Sequence, residues 1–444
     1  MHLRKRVVST VFVVCSFCLL SVAGAQAETS LRDTVLDTLK QHPALRSLQY
    51  AEGAAQQDHR QARGGYFPRL DASARYGAES YNSPETRRED REWDFRDRMD
   101  AGLTARQLIW DGHRTTSMVG AAEAAMRSAS SQYMDAADTI GLDAIIAHVG
   151  VYRQIRLVTL AQDNVTEHQD MLASLEERER LGAGSIADVT QTRGRLARAL
   201  TTLSNAQSDL NVAMANYLRL TGISAQQLAA VSGPVGVPAS VEEAAATTLE
   251  NNPKVATLTA EMDRAEQLVA QNEANYYPEF AAEAYSGFRQ NADGNTSYIK
   301  QNQLMLTVDW NLYKGGSDVA GVRAAKARKL AAEMNLRDVR ESLMENVSAS
   351  WSQYEAAREQ VGLYTEAAKY NLETRDMYLQ QFSVGQRTLL DVLDAENELF
   401  TSRGQLVTAE MNVIVGAYRL LALNGGLLES FDITKTEFTP LESK

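Results

Sequence analysis

The 444-residue chain contains little proline and little cysteine. Eight prolines occur where an average usage of about 5 % would give roughly 22, and none lies in the segments 85–233 and 279–439. Because a globular α/β enzyme places prolines in many of its loops, this distribution predicts long uninterrupted helices and few turns. A hydrophobic content of 44 % excludes a disordered chain.

Both cysteines, Cys15 and Cys18, lie in the segment 1–27, which has the features of a secretory signal peptide. A basic start and an apolar stretch precede Ala25-Gln26-Ala27, which is a small-residue cleavage site. We therefore expect a mature chain that begins near Glu28 and has no thiol, disulfide or lipid anchor.

The net charge and the lengths of the apolar runs restrict the class of protein to which the mature chain can belong. Without the three basic residues of the signal segment, the formal charge falls from −12 to −15, which argues against a nucleic-acid partner. We find no later run of about 18 apolar residues, which predicts that no helix spans a membrane. An exported chain of this kind can be periplasmic, be secreted, or cross an outer membrane as strands.

The sequence contains a long internal duplication. His42-Pro43 corresponds to Asn252-Pro253 at an offset of 210, and Gly182 corresponds to Gly385 at an offset of 203. We therefore divide the chain into repeat 1 at 28–227, a linker at 228–240, repeat 2 at 241–430 and a C-terminal tail at 431–444.

Each repeat is predicted to contain a helix, a β-hairpin, a long helix, a turn and a shorter helix. The opening helices are expected at 31–65 and 241–275. Repeat 1 then has a hairpin at 69–108, a long helix at 113–181 and a helix at 186–221; repeat 2 has a hairpin at 279–310, a long helix at 316–384 and a helix at 389–424. From Leu336 to Tyr364 apolar residues recur at the coiled-coil period. The spans from Gly112 to Gly182 and from Gly315 to Gly385 would each measure about 105 Å as helix.

The hairpin strands alternate polar and apolar residues over about ten positions, which is the length of a tilted membrane-spanning strand. Aromatic residues at the helix-proximal ends of both hairpins predict a membrane-interface girdle; they are Tyr66, Phe67, Trp110, Tyr276, Tyr277 and Trp310. The alternative is a set of core aromatics at strand–helix junctions.

Four strands cannot close a barrel, and an open sheet in lipid leaves unpaired backbone groups, so the chain must oligomerise. Two copies would give eight strands and a barrel filled by its own side chains. Three copies would give twelve strands with room for a channel.

The segments Phe382–Ala395 and Leu181–Val189 resemble the periplasmic turns of the TolC family of outer-membrane channel proteins. The resemblance extends from Leu31 to about Leu428. It implies an α+β membrane protein in which a homotrimer forms a 12-stranded β-barrel in the outer membrane. A long periplasmic α-helical, coiled-coil barrel continues it.

Asp391 and Asp394 lie three positions apart, so they share one helix face. That spacing alone also fits a solvated acidic face. The resemblance implies that both form acidic rings at a pore constriction, where mutual repulsion would raise their pKa values and favour cations. In repeat 1, Asp188 occupies the position that corresponds to Asp391, but Gln191 occupies the position that corresponds to Asp394.

The resemblance also implies a gate latch in which Arg387 binds a carboxylate network that includes Asp188. Phe382 departs from the family pattern, which has a tyrosine there, so the expected latch lacks one hydroxyl. The turn glycines Gly182, Gly184 and Gly385 permit the chain reversal, and the resemblance implies that a periplasmic adaptor docks at these turns.

No His-Glu-x-x-His, Gly-x-Ser-x-Gly or phosphate-loop motif occurs in the sequence, so we expect neither an enzyme nor a metal or cofactor site.

The expected function is the outer-membrane exit duct of a tripartite export system in a Gram-negative bacterium, extending into the periplasm. The expected partners are outer-membrane lipid, a periplasmic adaptor of the membrane-fusion type and an ABC or proton-driven inner-membrane transporter. The turn sequence favours type I protein secretion; small-molecule, drug or metal efflux is the alternative. A periplasmic coiled-coil adaptor or scaffold would explain the long helices but not the aromatic-bounded hairpins.

Overall fold

The computed structural model describes residues 28–225 and 227–439. The predicted signal segment 1–27, with both cysteines, lies outside the described residues. The first half contains α1 (Leu31–Gln41), α2 (Pro43–Arg63), β1 (Arg69–Glu79), α3 (Pro84–Arg88), β2 (Arg96–Trp110), α4 (Arg114–Arg180) and α5 (Ile186–Thr221). The second half contains α6 (Val241–Asn251), α7 (Pro253–Glu273), β3 (Glu279–Gln290), β4 (Tyr298–Asp309), α8 (Ser317–Ser383), α9 (Leu389–Leu423) and α10 (Lys435–Phe438).

The two longest helices, α4 and α8, each have 67 residues, which corresponds to about 100 Å. α4 packs along α2, α5 and α7, and α8 packs along α7 and α9, so α7 lies against both long helices. We call α4 with α5 the first helix pair and α8 with α9 the second helix pair. α4 also packs against α9, which joins the two pairs.

The coiled-coil period of α8 produces its buried stripe. Leu336, Leu343, Val347 and Ala357 are buried along it. Burying a side chain such as Leu343 or Val347 stabilises the packing by roughly 1.5–3 kcal/mol.

The opening helix of each half is broken, which corrects the expectation of single helices at 31–65 and 241–275. His42 and Asn252 each have extended backbone, with ψ of 120° and 124°, and each precedes a proline at the first position of the next helix. Steric conflict with the proline ring disfavours helical geometry at the preceding residue, which explains both breaks.

The strands form one antiparallel sheet in the order β1-β2-β3-β4. Because paired residues share a face, the register defines two surfaces. One face is largely apolar; it carries Leu70, Ala72, Ala74, Tyr76, Met99, Ala101, Leu103, Ala105, Ala282, Ala284, Phe288, Leu304, Leu306 and Val308. The other carries most of the charged residues, among them Arg106, which binds Glu279 at 2.7 Å and Glu283 at 3.1 Å.

Within the part of the chain that the structure describes, β1 and β4 are the edges of this sheet, and each pairs on one side only. The sheet is joined to the helices at one end of α4 and α8. The turns that follow these helices lie at their other ends, about 100 Å away.

The C-terminal segment is folded rather than a loose tail. Phe438 is buried and its ring stacks on that of Tyr133, with centroids 5.9 Å apart. It belongs to an apolar core that also contains Val35, Ile145 and Leu427. The predicted tail at 431–444 therefore includes residues that close the core where α1, α4 and α9 meet.

Among the described residues one helix, α9, is long and apolar enough to cross a membrane by length and composition. The premise that no long apolar run follows the signal segment is thereby corrected, whereas the expectation that no helix spans a membrane stays a prediction. In the structure α9 packs along α8 and α4 and buries residues such as Val392, Leu399 and Leu420. A core helix meets the same criteria, so its apolar character is explained by this packing.

Candidate functional site at the helix turns

The two long helices end in the same way. Gly182 and Gly385 have φ of +77° and +78°, a left-handed conformation that glycine adopts without strain. The backbone N–H of Ala183 donates to the carbonyl of Arg178 at 2.8 Å, and that of Gln386 donates to Gln381 at 2.9 Å. Both turns are thus Schellman-type helix ends, which reverse the chain over a few residues.

Gly184 has a different reason to be glycine. A Cβ atom built on it would lie 2.7 Å from the backbone nitrogen of Glu179, whereas the same atom on Gly182 or Gly385 would meet open space. Gly184 therefore permits a close approach of two backbone segments. These contacts account for the three glycines as turn residues, and adaptor docking at them stays a prediction.

The turns lead into capped helices. The Ser185 hydroxyl accepts a hydrogen bond from Ala187 N at the start of α5. Thr388 and Asp391 form a capping box at the start of α9, in which the Thr388 hydroxyl donates to Asp391 Oδ2 at 2.8 Å. Asp391 is therefore a structural cap as well as a candidate pore residue.

The hydrogen bonds from the Thr388 hydroxyl and backbone N–H lower the pKa of Asp391, with a smaller contribution from Arg387. This direction is opposite to the rise expected from repulsion between acidic rings. The repulsion requires several copies around an axis and stays a prediction for the assembly.

Asp394 binds a residue that the sequence analysis did not select. Arg195 Nη2 in α5 donates to Asp394 Oδ1 in α9 at 2.7 Å. The side chains are 24 % and 60 % exposed, respectively. The two residues are 199 positions apart in sequence, and nothing in the pattern of either helix indicates the pairing.

Arg387 makes its contacts within the second helix pair and its turn. It lies 3.8 Å from Asp391, donates to Gln381 Oε1 at 3.2 Å, and stacks 4.2 Å from the centre of the Tyr378 ring. Across residues 28–225 and 227–439, the carboxylate of Asp188 has no hydrogen-bond or ion-pair partner. The structure therefore does not bring Arg387 and Asp188 together within one chain.

Phe382 lies in an apolar cluster that joins all four helices near the turns. The cluster contains Leu175 of α4, Val189 of α5, and Leu389 and Leu393 of α9. The guanidinium of Arg178 in α4 lies 5.4 Å from the centre of the Phe382 ring, a cation–π contact. The phenylalanine thus contributes packing in place of a hydroxyl hydrogen bond.

A buried acid lies farther along α9 from the turn. Glu396 is 6 % exposed and accepts a hydrogen bond from Arg375 Nη1 at 3.1 Å. Burial raises the pKa of Glu396, and Arg375 opposes this effect. The sequence analysis missed this pair, although the seven-residue spacing from Leu389 to Glu396 marks a core position of the helix.

The aromatic residues near the strand–helix junctions lie close together in the structure. The Trp110 and Tyr277 ring centroids are 5.9 Å apart, and Trp310 Nε1 donates to the Tyr276 carbonyl at 3.2 Å. Phe67 and Trp310 are among the large exposed side chains. Their arrangement is compatible with a girdle, whose contact with lipid stays a prediction.

Within the described ranges, no group of three or more His, Cys, Asp or Glu side chains is placed to hold a metal ion.

An open antiparallel sheet with one apolar face, joined to helices about 100 Å long that end in paired turns, is the architecture of an outer-membrane channel protein. The chain belongs to the outer membrane efflux protein family, whose pattern matches residues 35–223 and 245–426. The matched segments leave out the region that contains the predicted linker.

Curated relatives agree with this assignment. The chain is 26 % identical to the outer membrane efflux protein BepC of Brucella suis over 419 residues, which cover 93 % of this chain and 89 % of BepC. It is 23 % identical to the outer membrane protein TolC of Escherichia coli, over 67 % of this chain and 63 % of TolC. It is 24 % identical to the alkaline protease secretion protein AprF of Pseudomonas aeruginosa, over 62 % and 60 % of the two chains.

Solved structures share the fold. The outer membrane protein VceC from Vibrio cholerae aligns with a TM-score of 0.76 at 18 % identity, covering 89 % of this chain and 96 % of VceC. The predicted membership of the TolC family is thus confirmed, as is the location in the outer membrane of a Gram-negative bacterium with a periplasmic extension. The family and its structural neighbours are channels rather than enzymes.

Proposed function

We propose that the chain is the exit duct of a tripartite export system and conducts substrate passively from a periplasmic adaptor and an inner-membrane transporter to the outside. The observation that carries this proposal is the sheet with one apolar and one charged face, continuous with helices about 100 Å long. In a periplasmic scaffold, an apolar sheet face would be exposed to water, which is unfavourable. That face supports a membrane position over the scaffold alternative.

The duct is a homotrimer with a 12-stranded barrel. Two sets of free edges support this assembly: β1 and β4 at the sides of the sheet, and α5 and α8 at the sides of the helical layer α5-α4-α9-α8. Leu363, Tyr370 and Met377 of α8 are exposed at seven-residue spacing, which suits coiled-coil packing against a neighbouring copy. Three copies close the sheet with room for a channel.

The periplasmic end is the gated end. In a three-fold assembly Asp391 and Asp394 form acidic rings that favour cations, and Arg387 reaches Asp188 of a neighbouring copy. The Asp188 carboxylate, which has no partner among the described residues, supports this arrangement. Within the described part of one chain, Arg387 contacts groups of the second helix pair and its turn.

The turns are the docking surface for the adaptor. Leu181 and Val384 are 67 % and 68 % exposed, and Ile186 and Leu390 are exposed beside them. Apolar side chains at a tip far from the sheet favour contact with a protein partner.

The cargo is a protein, and the transporter is of the ABC type. The similarity to AprF, whose name states protease secretion, supports this choice. The similarity to BepC, whose name states efflux, supports the alternative of small molecules.

Two experiments test the proposal. Outer membranes are extracted with salt or with detergent, and the purified protein is analysed as a heat-modifiable trimer and in planar bilayers. Channels from a detergent-extracted trimer are expected, whereas release by salt without channels would support a scaffold. A photo-crosslinker attached at Val384→Cys is expected to capture the adaptor. An ABC exporter is expected to be purified together with that adaptor. A proton-driven transporter would favour efflux. Glu366→Cys is the control, because it lies about 25 Å from the turn along α8.

A further inference from the structure

The ion pair between Arg195 and Asp394 connects the two helix pairs. Arg195 lies in α5 of the first helix pair and Asp394 in α9 of the second, and Nη2 and Oδ1 are 2.7 Å apart. The Phe382 cluster lies at the same end of the helices, so the pair adds a polar link where the four helices already converge.

A neighbouring arginine provides the contrast. Arg193, two positions earlier in α5, binds Glu176 of α4 through Nη2 at 2.7 Å. Arg193 and Glu176 belong to the same helix pair, so this ion pair cannot hold the two pairs together. The two arginines share helix, charge and bond length, and they differ in what they connect.

Arg387 and Phe382, which also lie near the turn, form no hydrogen bond between the two helix pairs in the described part of the chain. Arg387 binds Asp391, Gln381 and Tyr378, all within the second pair and its turn. Phe382 crosses between the pairs by packing beneath Arg178 but has no hydroxyl to donate. Two other ion pairs join the helix pairs farther from the turns: Arg156 of α4 binds Glu410 of α9, and Arg375 of α8 lies 3.9 Å from Glu167 of α4. Among the described residues nearest the turns, Arg195 and Asp394 form the hydrogen-bonded ion pair between the two helix pairs.

We propose that Arg195 is a positioning residue of the gate: by binding Asp394 it ties the first helix pair to the second within each protomer and favours the closed periplasmic end. The inference rests on the proposed gated duct. It gives Asp394 a partner inside its own chain, so opening must break this bond in each protomer before the pairs can separate.

The test measures single-channel conductance of purified trimers in planar bilayers. An exposed ion pair shifts an equilibrium by about two- to fivefold, so Arg195→Gln is expected to raise the open fraction of each protomer by that factor and to increase the mean conductance. Arg193→Gln removes the same charge from the same helix and is expected to leave the conductance unchanged.

Rescue separates a link from a general loss of structure. Arg195→Lys keeps a cation for Asp394 and leaves the acidic residues of the pore unchanged, so it is expected to restore part of the closed state. The melting temperature of the trimer is recorded for every variant, and Arg195→Gln and Arg193→Gln should match.

The outcomes are distinct. If the wild-type chain forms no channel, the proposed duct fails. If it forms channels and Arg195→Gln behaves like Arg193→Gln, or if Arg195→Lys conducts like Arg195→Gln, the inference about Arg195 is overturned while the duct stands.

Discussion

Gly102 faces Gly287 across the β2–β3 pair, and the ring of Tyr285 lies against both of them. A Cβ atom on Gly102 would lie 2.8 Å from the Tyr285 ring and hydroxyl, and a Cβ atom on Gly287 would also collide with that hydroxyl. The two glycines thus form a shallow recess on the charged face of the sheet, and the tyrosine fills it. An aromatic ring over a glycine replaces the packing that the glycine lacks.

We expect Gly287→Val to displace the tyrosine and to lower the stability of the folded trimer by about 1–3 kcal/mol. Gly77→Val is the matched control, because Gly77 lies on the same face of β1 and a Cβ atom there meets open space. Trimer melting followed by gel electrophoresis measures both. Equal melting temperatures for the two variants would contradict the recess.

We expect Arg387→Ala to raise the closed-state conductance of purified trimers in planar bilayers, because it removes the cation proposed to reach Asp188 of a neighbouring copy. Gln381→Ala is the control, since it removes a partner of Arg387 inside the hairpin and keeps the cation. An unchanged conductance for Arg387→Ala would exclude the latch.

Asp138 should make stability depend on pH. It is buried in α4 and accepts a hydrogen bond from the backbone of Leu428, while its Oδ1 has no partner among the described residues. Burial, together with repulsion from Asp135, raises the pKa of Asp138 to about 7. Burial also raises the pKa of Asp135, and the nearby Lys254 opposes that rise.

Because the folded pKa exceeds the unfolded value of about 3.9, the native state holds a proton that the unfolded state loses. The contribution of Asp138 to stability therefore falls as the pH rises from about 4 to about 7. We expect Asp138→Asn to flatten this dependence and to raise the melting temperature near pH 8. The exposed Asp143→Asn of the same helix should change neither, and an unaltered pH profile for Asp138→Asn would refute the assignment.

Tryptophan fluorescence tests the aromatic girdle. Trp310 is exposed beside the sheet, and Trp351 lies in α8 about 50 Å farther along the helix. In proteoliposomes with brominated lipids, a variant that keeps Trp310 alone should be strongly quenched. A variant that keeps Trp351 alone should retain its emission; similar quenching of both would exclude an interface at the junctions.

The sequence predicted the helix and strand positions closely because glycine and proline mark their ends. The long helix predicted at 113–181 corresponds to Arg114–Arg180, and the shorter one predicted at 389–424 corresponds to Leu389–Leu423. Pro43 and Pro253 also indicate the break in each opening helix, because the residue before each proline has extended backbone.

The side-chain pairs of the site could not be predicted in the same way. A hydrogen bond such as that from Arg195 to Asp394 depends on how two helices from different halves of the chain approach, and the periodicity of each helix alone does not contain that information. The same holds for Phe382, whose missing hydroxyl suggested a weaker latch, whereas its surroundings supply a cation and an apolar cluster.

The unpaired edges of β1 and β4 also affect how the protein reaches the membrane. A single chain offers lipid an open sheet whose edge N–H and C=O groups have no partner, and each such group costs several kcal/mol there. For the proposed trimer, insertion must therefore follow or accompany the encounter of separate copies. We expect the rate of membrane insertion to depend on chain concentration with an order greater than one.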